Sequence, residues 1–173
     1  MALPDDVTLE PADVDDAGEL LTLQRAAYVT EAQLHGDLAL PPLVQSLDEL
    51  RDELSWSTAW KIVTRAGRIV AGVRVVVDAG TAHVNRVAVA PDWQGRGLGT
   101  ALIEHVHATL PATATQTELF TGSRSLANLR LYERLGYTEF DRTPLPTGYE
   151  LVRMQRPRGT ASDPGTGDDT ATG

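Results

Sequence analysis

Apolar residues change their spacing along this chain, and the changes mark out its elements. Alternation over residues 7–10 predicts a short first strand. Leu20, Leu23, Ala27 and Leu34 recur at helical spacing and predict a helix over about 14–31. Asp13 stands where a cap belongs, and Asp15, Asp16 and Glu19 lie near the helix start, where the dipole favours acids. Residues 35–43, with Pro41-Pro42, read as a loop. Ser46 followed three residues later by Glu49 forms a capping box for a second helix with an apolar face of Leu47, Leu50 and Leu54. Strands are predicted over 59–64, 69–78 and 82–89. Ala66-Gly67 and Ala79-Gly80 supply the turns of an antiparallel meander. Leu98, Leu102, Val106 and Leu110 stripe a helix over 98–110 that Pro111 ends. A strand over 116–121 follows, then a helix capped by Ser125 and closed by Gly136. Strands over 138–141 and 149–154 complete the pattern.

This alternation gives one mixed α/β domain over residues 1–156, with helices on both faces of the sheet. Beyond Pro157 there is no large apolar residue, and 157–173 read as a flexible polar tail. No apolar run is long enough for a membrane span. The opening Met-Ala-Leu-Pro-Asp-Asp has neither a basic nor an apolar export segment, so a cytoplasmic location is expected. The chain has no cysteine, which removes disulfides, thiolate metal sites and cysteine nucleophiles. His35, His83, His105 and His107 do not make a zinc spacing, and no metal is expected. His105 and His107, two apart on a helix, point in different directions.

Charge sharpens the picture. Up to Trp60 there are thirteen acids against two bases, Arg25 and Arg51; beyond it, thirteen bases face eleven acids. The net charge of −9 disfavours a nucleic-acid partner.

The most informative segment is Val87-Ala88-Val89-Ala90-Pro91-Asp92-Trp93-Gln94-Gly95-Arg96-Gly97-Leu98-Gly99, an apolar strand, a loop with alternating glycines and a helix start. A helix N-terminus leaves N–H groups without partners and carries partial positive charge. Glycines there let a phosphate approach the main chain, and Arg96 can add a charged contact. The third glycine falls two residues after the second, so the dinucleotide fingerprint fails, and no Gly-Lys-Ser/Thr occurs. Gln94-Gly95-Arg96-Gly97-Leu98-Gly99 instead resembles the pyrophosphate loop of the GNAT superfamily of acetyl-CoA-dependent N-acetyltransferases. Asn128-Leu129-Arg130-Leu131-Tyr132-Glu133-Arg134-Leu135-Gly136-Tyr137 looks like that family's later cofactor motif, in the right order and at the right separation.

The resemblance implies the GNAT fold: an α/β (α+β) domain with a mixed, mostly antiparallel twisted sheet of about seven strands, in the order β-α-α-β-β-β-α-β-α-β-β. It implies acetyl-CoA as co-substrate, with its pantetheine beside the backbone of Val87, Ala88 and Val89. Gln94, Gly95, Arg96, Gly97, Leu98, Gly99 and Thr100 would hold the diphosphate, and Asn128 and Tyr132 would complete the cofactor contacts. Tyr132 would donate a proton to the departing thiolate. His83 occupies the position where many relatives carry a catalytic Glu. Tyr28, Glu31 and His35, near the end of the first helix, are candidates to line the acceptor pocket. The family builds much of its acceptor side from the acidic part of the chain, which suggests a small cationic primary amine. Transfer would be by direct attack, without an acyl-enzyme. A protein or peptide amine as acceptor, a non-catalytic acyl-CoA sensor or scaffold, and a homodimer through the C-terminal strands remain open.

Overall fold

The computed structural model describes residues 3–159. Seven strands form one sheet: β1 (Val7–Pro11), β2 (Thr58–Thr64), β3 (Ile69–Asp78), β4 (Thr81–Val89), β5 (Gln116–Gly122), β6 (Thr138–Pro144) and β7 (Glu150–Pro157). Five helices accompany it: α1 (Ala17–His35), α2 (Pro41–Val44), α3 (Leu47–Trp56), α4 (Leu98–Thr109) and α5 (Leu126–Arg134). The strand order is β1-β2-β3-β4-β5-β7-β6. The expected meander is present, and β4–β5 is the parallel pair in an otherwise antiparallel sheet.

Side-chain direction assigns the helices to faces. Arg74 of β3 bonds Gln24 of α1 and Glu53 of α3, so both helices lie on the Gly72/Arg74 face. Gly72 is needed there, because an added Cβ would come within 3.1 Å of Leu20. Trp60 faces the other way and meets the ring of His105 on α4 edge-on at 4.2 Å. The stripe of α4 buries Leu98, Leu102 and Val106 as its period requires. Helix caps follow the sequence at two places. Asp13 with Asp16, and Ser46 with Glu49, form reciprocal capping boxes, each worth about 1 kcal/mol.

Three local readings are corrected. First, α1 does not stop near Glu31. It runs to His35, where Gly36 turns left-handed (φ +66°) and closes it. Its buried face shifts with this, to Ala32 and His35, while Leu34 is exposed. Second, Pro41 and Pro42 are not loop but the first turn of the short α2, where a missing N–H costs nothing. Third, Ser125 precedes α5 but makes no cap bond; its hydroxyl goes to Glu31. The tail expected over 157–173 divides: Pro157 ends β7, and residues from 160 on lie outside the described residues.

Two departures from a regular sheet set up the site. Pairing between β4 and β5 covers only Thr81–His83 with Gln116–Glu118, although β4 continues to Val89 and β5 to Gly122. The strands therefore separate after His83 and leave facing edges without ladder partners. On its other side β4 bulges: Gly72 pairs with Ala88 and Arg74 with Asn85, so Arg86 and Val87 together oppose Val73. Arg86 takes a left-handed backbone (φ +55°) within this bulge.

Candidate active site

One end of the opening is made of backbone. Past Val89 the chain makes a single turn at Pro91–Trp93, then runs through Gly95 (φ +76°) and Gly97 (φ +80°) into α4. A Cβ at Gly95 would meet nothing within 4 Å, so glycine there answers the backbone and not crowding. Gly97 occupies the cap position and accepts the bond from Ala101 N–H at 3.0 Å. The N–H groups of Leu98, Gly99 and Thr100 precede that first helical bond and face out of the helix start. Arg96 stacks over the Trp93 ring at 4.3 Å, and Arg68 holds Asp92 in a bidentate pair at 2.6 and 2.8 Å. Gln94 donates to the Val89 carbonyl at 3.3 Å. An open strand edge leading to donor N–H groups suits an extended ligand that ends in a diphosphate.

The other end is made of side chains from distant segments. Tyr132, on α5, is buried, and burial pushes its phenol well above the ordinary range. Tyr28 and Glu31 of α1 and the neighbouring Tyr137 act in the same direction. Tyr132 therefore stays protonated at neutral pH and can donate. Tyr28 is half-buried; desolvation raises its phenol too, with Arg86 and Arg74 opposing. Glu31 bridges the helices. Its Oε1 accepts from Ser125 Oγ at 2.8 Å and Asn128 Nδ2 at 3.3 Å, and Asn128 also reaches Thr121 Oγ1 at 3.5 Å. His35 lies behind Glu31, with Nδ1 2.9 Å from the Glu31 carbonyl and its ring 4.3 Å from that of Tyr149. Its Nε2 is buried without a partner against Gly122.

Tyr28, Glu31, Asn128 and Tyr132 are thus brought together, with His35 enclosed behind them. His83 is not in that group. It sits on the last β4–β5 pair, half-exposed, with Nδ1 3.9 Å from Glu118 Oε2. Asn128 was expected to face the ligand, but its amide is turned to Glu31. Sequence reasoning missed Ser125 as a partner of Glu31 and Arg86 as a cation beside Tyr28. No local spacing pairs residue 31 with 125 or 86 with 28. Also missed was a buried relay in which Arg74 Nε donates to Glu53 at 2.9 Å and Gln24 connects Arg74 to the Pro42 carbonyl and Gln45. It fixes α1 over the sheet. Desolvation pushes the Arg74 guanidinium down, against the pull of Glu53.

Among the described residues, no group of three His, Asp or Glu side chains could hold a metal ion, and no helix is long and apolar enough to cross a membrane.

Comparison with known proteins agrees with this geometry. The fold is shared with the ribosomal-protein-S18-alanine N-acetyltransferase from Escherichia coli: TM-score 0.73, 22% identity, 91% of this chain and 97% of that one covered. It is shared as well with the spermidine N-acetyltransferase from Vibrio cholerae, solved with CoA and spermine: TM-score 0.70, 15% identity, coverage 90% and 97%. PaiA N-acetyltransferase from Thermoplasma acidophilum, solved with coenzyme A, is also similar: TM-score 0.70, 10% identity, coverage 87% and 98%. No curated protein matches the sequence. Residues 56–139 match the model of the acetyltransferase (GNAT) domain, a span running from the meander through the glycine loop to Tyr132. Over residues 56–139 the chain is thus similar to the GNAT acetyltransferase domain, and its fold is that of these N-acetyltransferases.

Proposed function

We propose that this protein is an acetyl-CoA-dependent N-acetyltransferase that modifies the primary amine of a small molecule by direct attack. The separation of β4 from β5, leading into the Gly95–Gly97 turn and the start of α4, is the observation that carries this reading. Solved proteins of this fold that hold coenzyme A support it.

In this reading, pantetheine lies along the free edge of β4 at Val87, Ala88 and Val89, and the diphosphate rests on the N–H groups of Leu98, Gly99 and Thr100. Gln94, Gly95, Arg96 and Gly97 shape that rest. One backbone N–H among Val87, Ala88 and Val89 faces the thioester oxygen and stabilises its developing charge. The acceptor reaches the thioester from the α1 side, past Tyr28 and Glu31. The acidic first part of the chain draws it in as an ammonium ion. Its proton passes to His83 through water, since His83 lies too far along β4 for direct contact. The neutral nitrogen then attacks the carbonyl carbon. A C–N bond forms and the C–S bond breaks, leaving amide and free thiol. Tyr132 gives its proton to the departing sulfur, and the second proton, which the nitrogen loses on becoming an amide, returns to Tyr132 through water.

Release of free thiol from acetyl-CoA across a panel of primary amines tests the reading. The cysteine-free chain adds no background. Turnover with a small amine is the expected result. Intact acetyl-CoA binding with no turnover by any amine or amino-terminal peptide would replace the enzyme with an acyl-CoA binder.

A further inference from the structure

Arg86 has no part in the chemistry above, yet the fold holds it in an expensive place. Its left-handed backbone is uncommon for a long side chain. The bulge directs it to the α1 face, where it borders a cavity of about 10 Å³ together with Gln24, Gly72, Arg74 and Ala88. That volume is near the size of a single water. Arg86 Nε is buried and has no hydrogen-bond partner. Nearby polar groups are already engaged: Glu53 by Arg74, Gln24 by Arg74 and the Pro42 carbonyl, Glu31 by Ser125 and Asn128. Among the described residues no carboxylate forms an ion pair with Arg86. Arg86 is half-buried, and its buried Nε costs stability until a partner accepts from it. The diphosphate of the donor is not that anion, because its cradle begins beyond Val89 and the Pro91–Trp93 turn.

Both signs of charge act on Tyr28: Arg86 and Arg74 favour the ionised phenol, and Glu31 opposes them. A small molecule lying against Tyr28 therefore has guanidinium and carboxylate groups near it. We propose that Arg86 binds a carboxylate of the acceptor, which makes the acceptor a zwitterion carrying amine and carboxylate together, of the amino-acid class, and not a polyamine. A guanidinium pairs a carboxylate through two parallel N–H bonds and repels a second ammonium. The inference rests on the transferase reading for its chemistry, in which the same amine loses its proton and takes the acetyl group.

The test compares matched acceptors: leucine, its amide, and the amine left when its carboxylate is removed, with the corresponding lysine set beside them. Thiol release gives kcat and KM for the parent and for Arg86→Asn, Arg86→Gly and Arg86→Lys. Asparagine and glycine accept a left-handed backbone, so neither variant is expected to melt below the parent. The free amino acid should exceed its amide and decarboxylated amine in kcat/KM by about 10- to 100-fold in the parent. That preference should fall close to unity in Arg86→Asn and Arg86→Gly through KM, with the acetyl-CoA KM unchanged, and be partly restored by Arg86→Lys. A parent that favours the amine or amide, or a preference that survives in Arg86→Asn, overturns the proposal. Calorimetric titration of the amino acids into the CoA-loaded protein separates the two readings. Arg86-dependent binding without any turnover would remove the transferase reading and keep the carboxylate site. Neither binding nor turnover that depends on Arg86 would remove the site.

Discussion

The two ends of the opening between β4 and β5 are built in different ways. The end proposed for the donor is main chain: a free strand edge, two left-handed glycines and the first N–H groups of α4, all within one short run of sequence. The end proposed for the acceptor is side chain: Tyr28 and Glu31 from α1, Arg86 from the bulge, Ser125 before α5, and Asn128 and Tyr132 on it. Backbone groups recognise what every acetyl-CoA user shares, and they tolerate sequence change provided the glycines stay. Side chains collected from remote segments can be exchanged one at a time, so acceptor choice can change without disturbing the donor cradle.

Tyr132→Phe gives the largest expected effect and separates the ends most sharply. Loss of a general acid costs about 100-fold or more in kcat, while the acetyl-CoA dissociation constant should stay within about twofold because the hydroxyl does not build the cradle. Equal turnover by the variant would remove Tyr132 as the acid, and a large loss of affinity would break the distinction between the ends. Gly97→Asp acts on the other end. A Cβ in the left-handed region costs about 1–2 kcal/mol, and the added carboxylate sits where the helix dipole receives phosphate. Acetyl-CoA affinity, read by calorimetry, should fall about 100-fold. Unchanged affinity would mean that the loop is only a turn.

Gly122→Ala probes how the acceptor end is braced. A Cβ there would overlap the ring of His35, which is buried between Glu31 and Tyr149 and cannot swing aside. Overpacking of this kind costs about 1–3 kcal/mol. Thermal unfolding should reveal it, whereas Gly95→Ala, which has open space around it, should lose only the backbone term. The smallest effect concerns neither end. His107 Nε2 lies 2.8 Å from the Tyr137 hydroxyl, and burial, aided by Arg156, lowers its pKa from 6.5 to about 4. The unfolded chain takes up this proton below pH 6.5 and the folded one only near pH 4, so the folded state loses stability as pH falls between them. His107→Gln should flatten the pH dependence of the unfolding free energy across that window, by about 1 kcal/mol after allowance for solvent screening. Equal slopes with and without His107 would show that other groups govern acid unfolding.

What could be read from the chain follows the same division. Strand β3, the Ser46–Glu49 box and the stripe of α4 are local in sequence, and each matched its expectation closely. The end of α1 did not, because Ala32 and His35 are held by packing against distant residues, whose gain outweighs the loop-like composition around them. Ser125 reads locally as a cap, yet its hydroxyl finds the Glu31 carboxylate instead, and a charged acceptor binds a hydroxyl more strongly than a backbone amide does.

The sequence by itself determined the period of each element, the glycine loop that opens α4, and the family to which both cofactor motifs point. These depend on interactions between residues a few positions apart, where local conformational preference and spacing suffice. Only the tertiary structure decided where β4 leaves β5, which face the bulge presents, and that Glu31 and Arg86 act on Tyr28 with opposite sign. Those features join segments that meet only after the sheet has formed, so no local pattern encodes them.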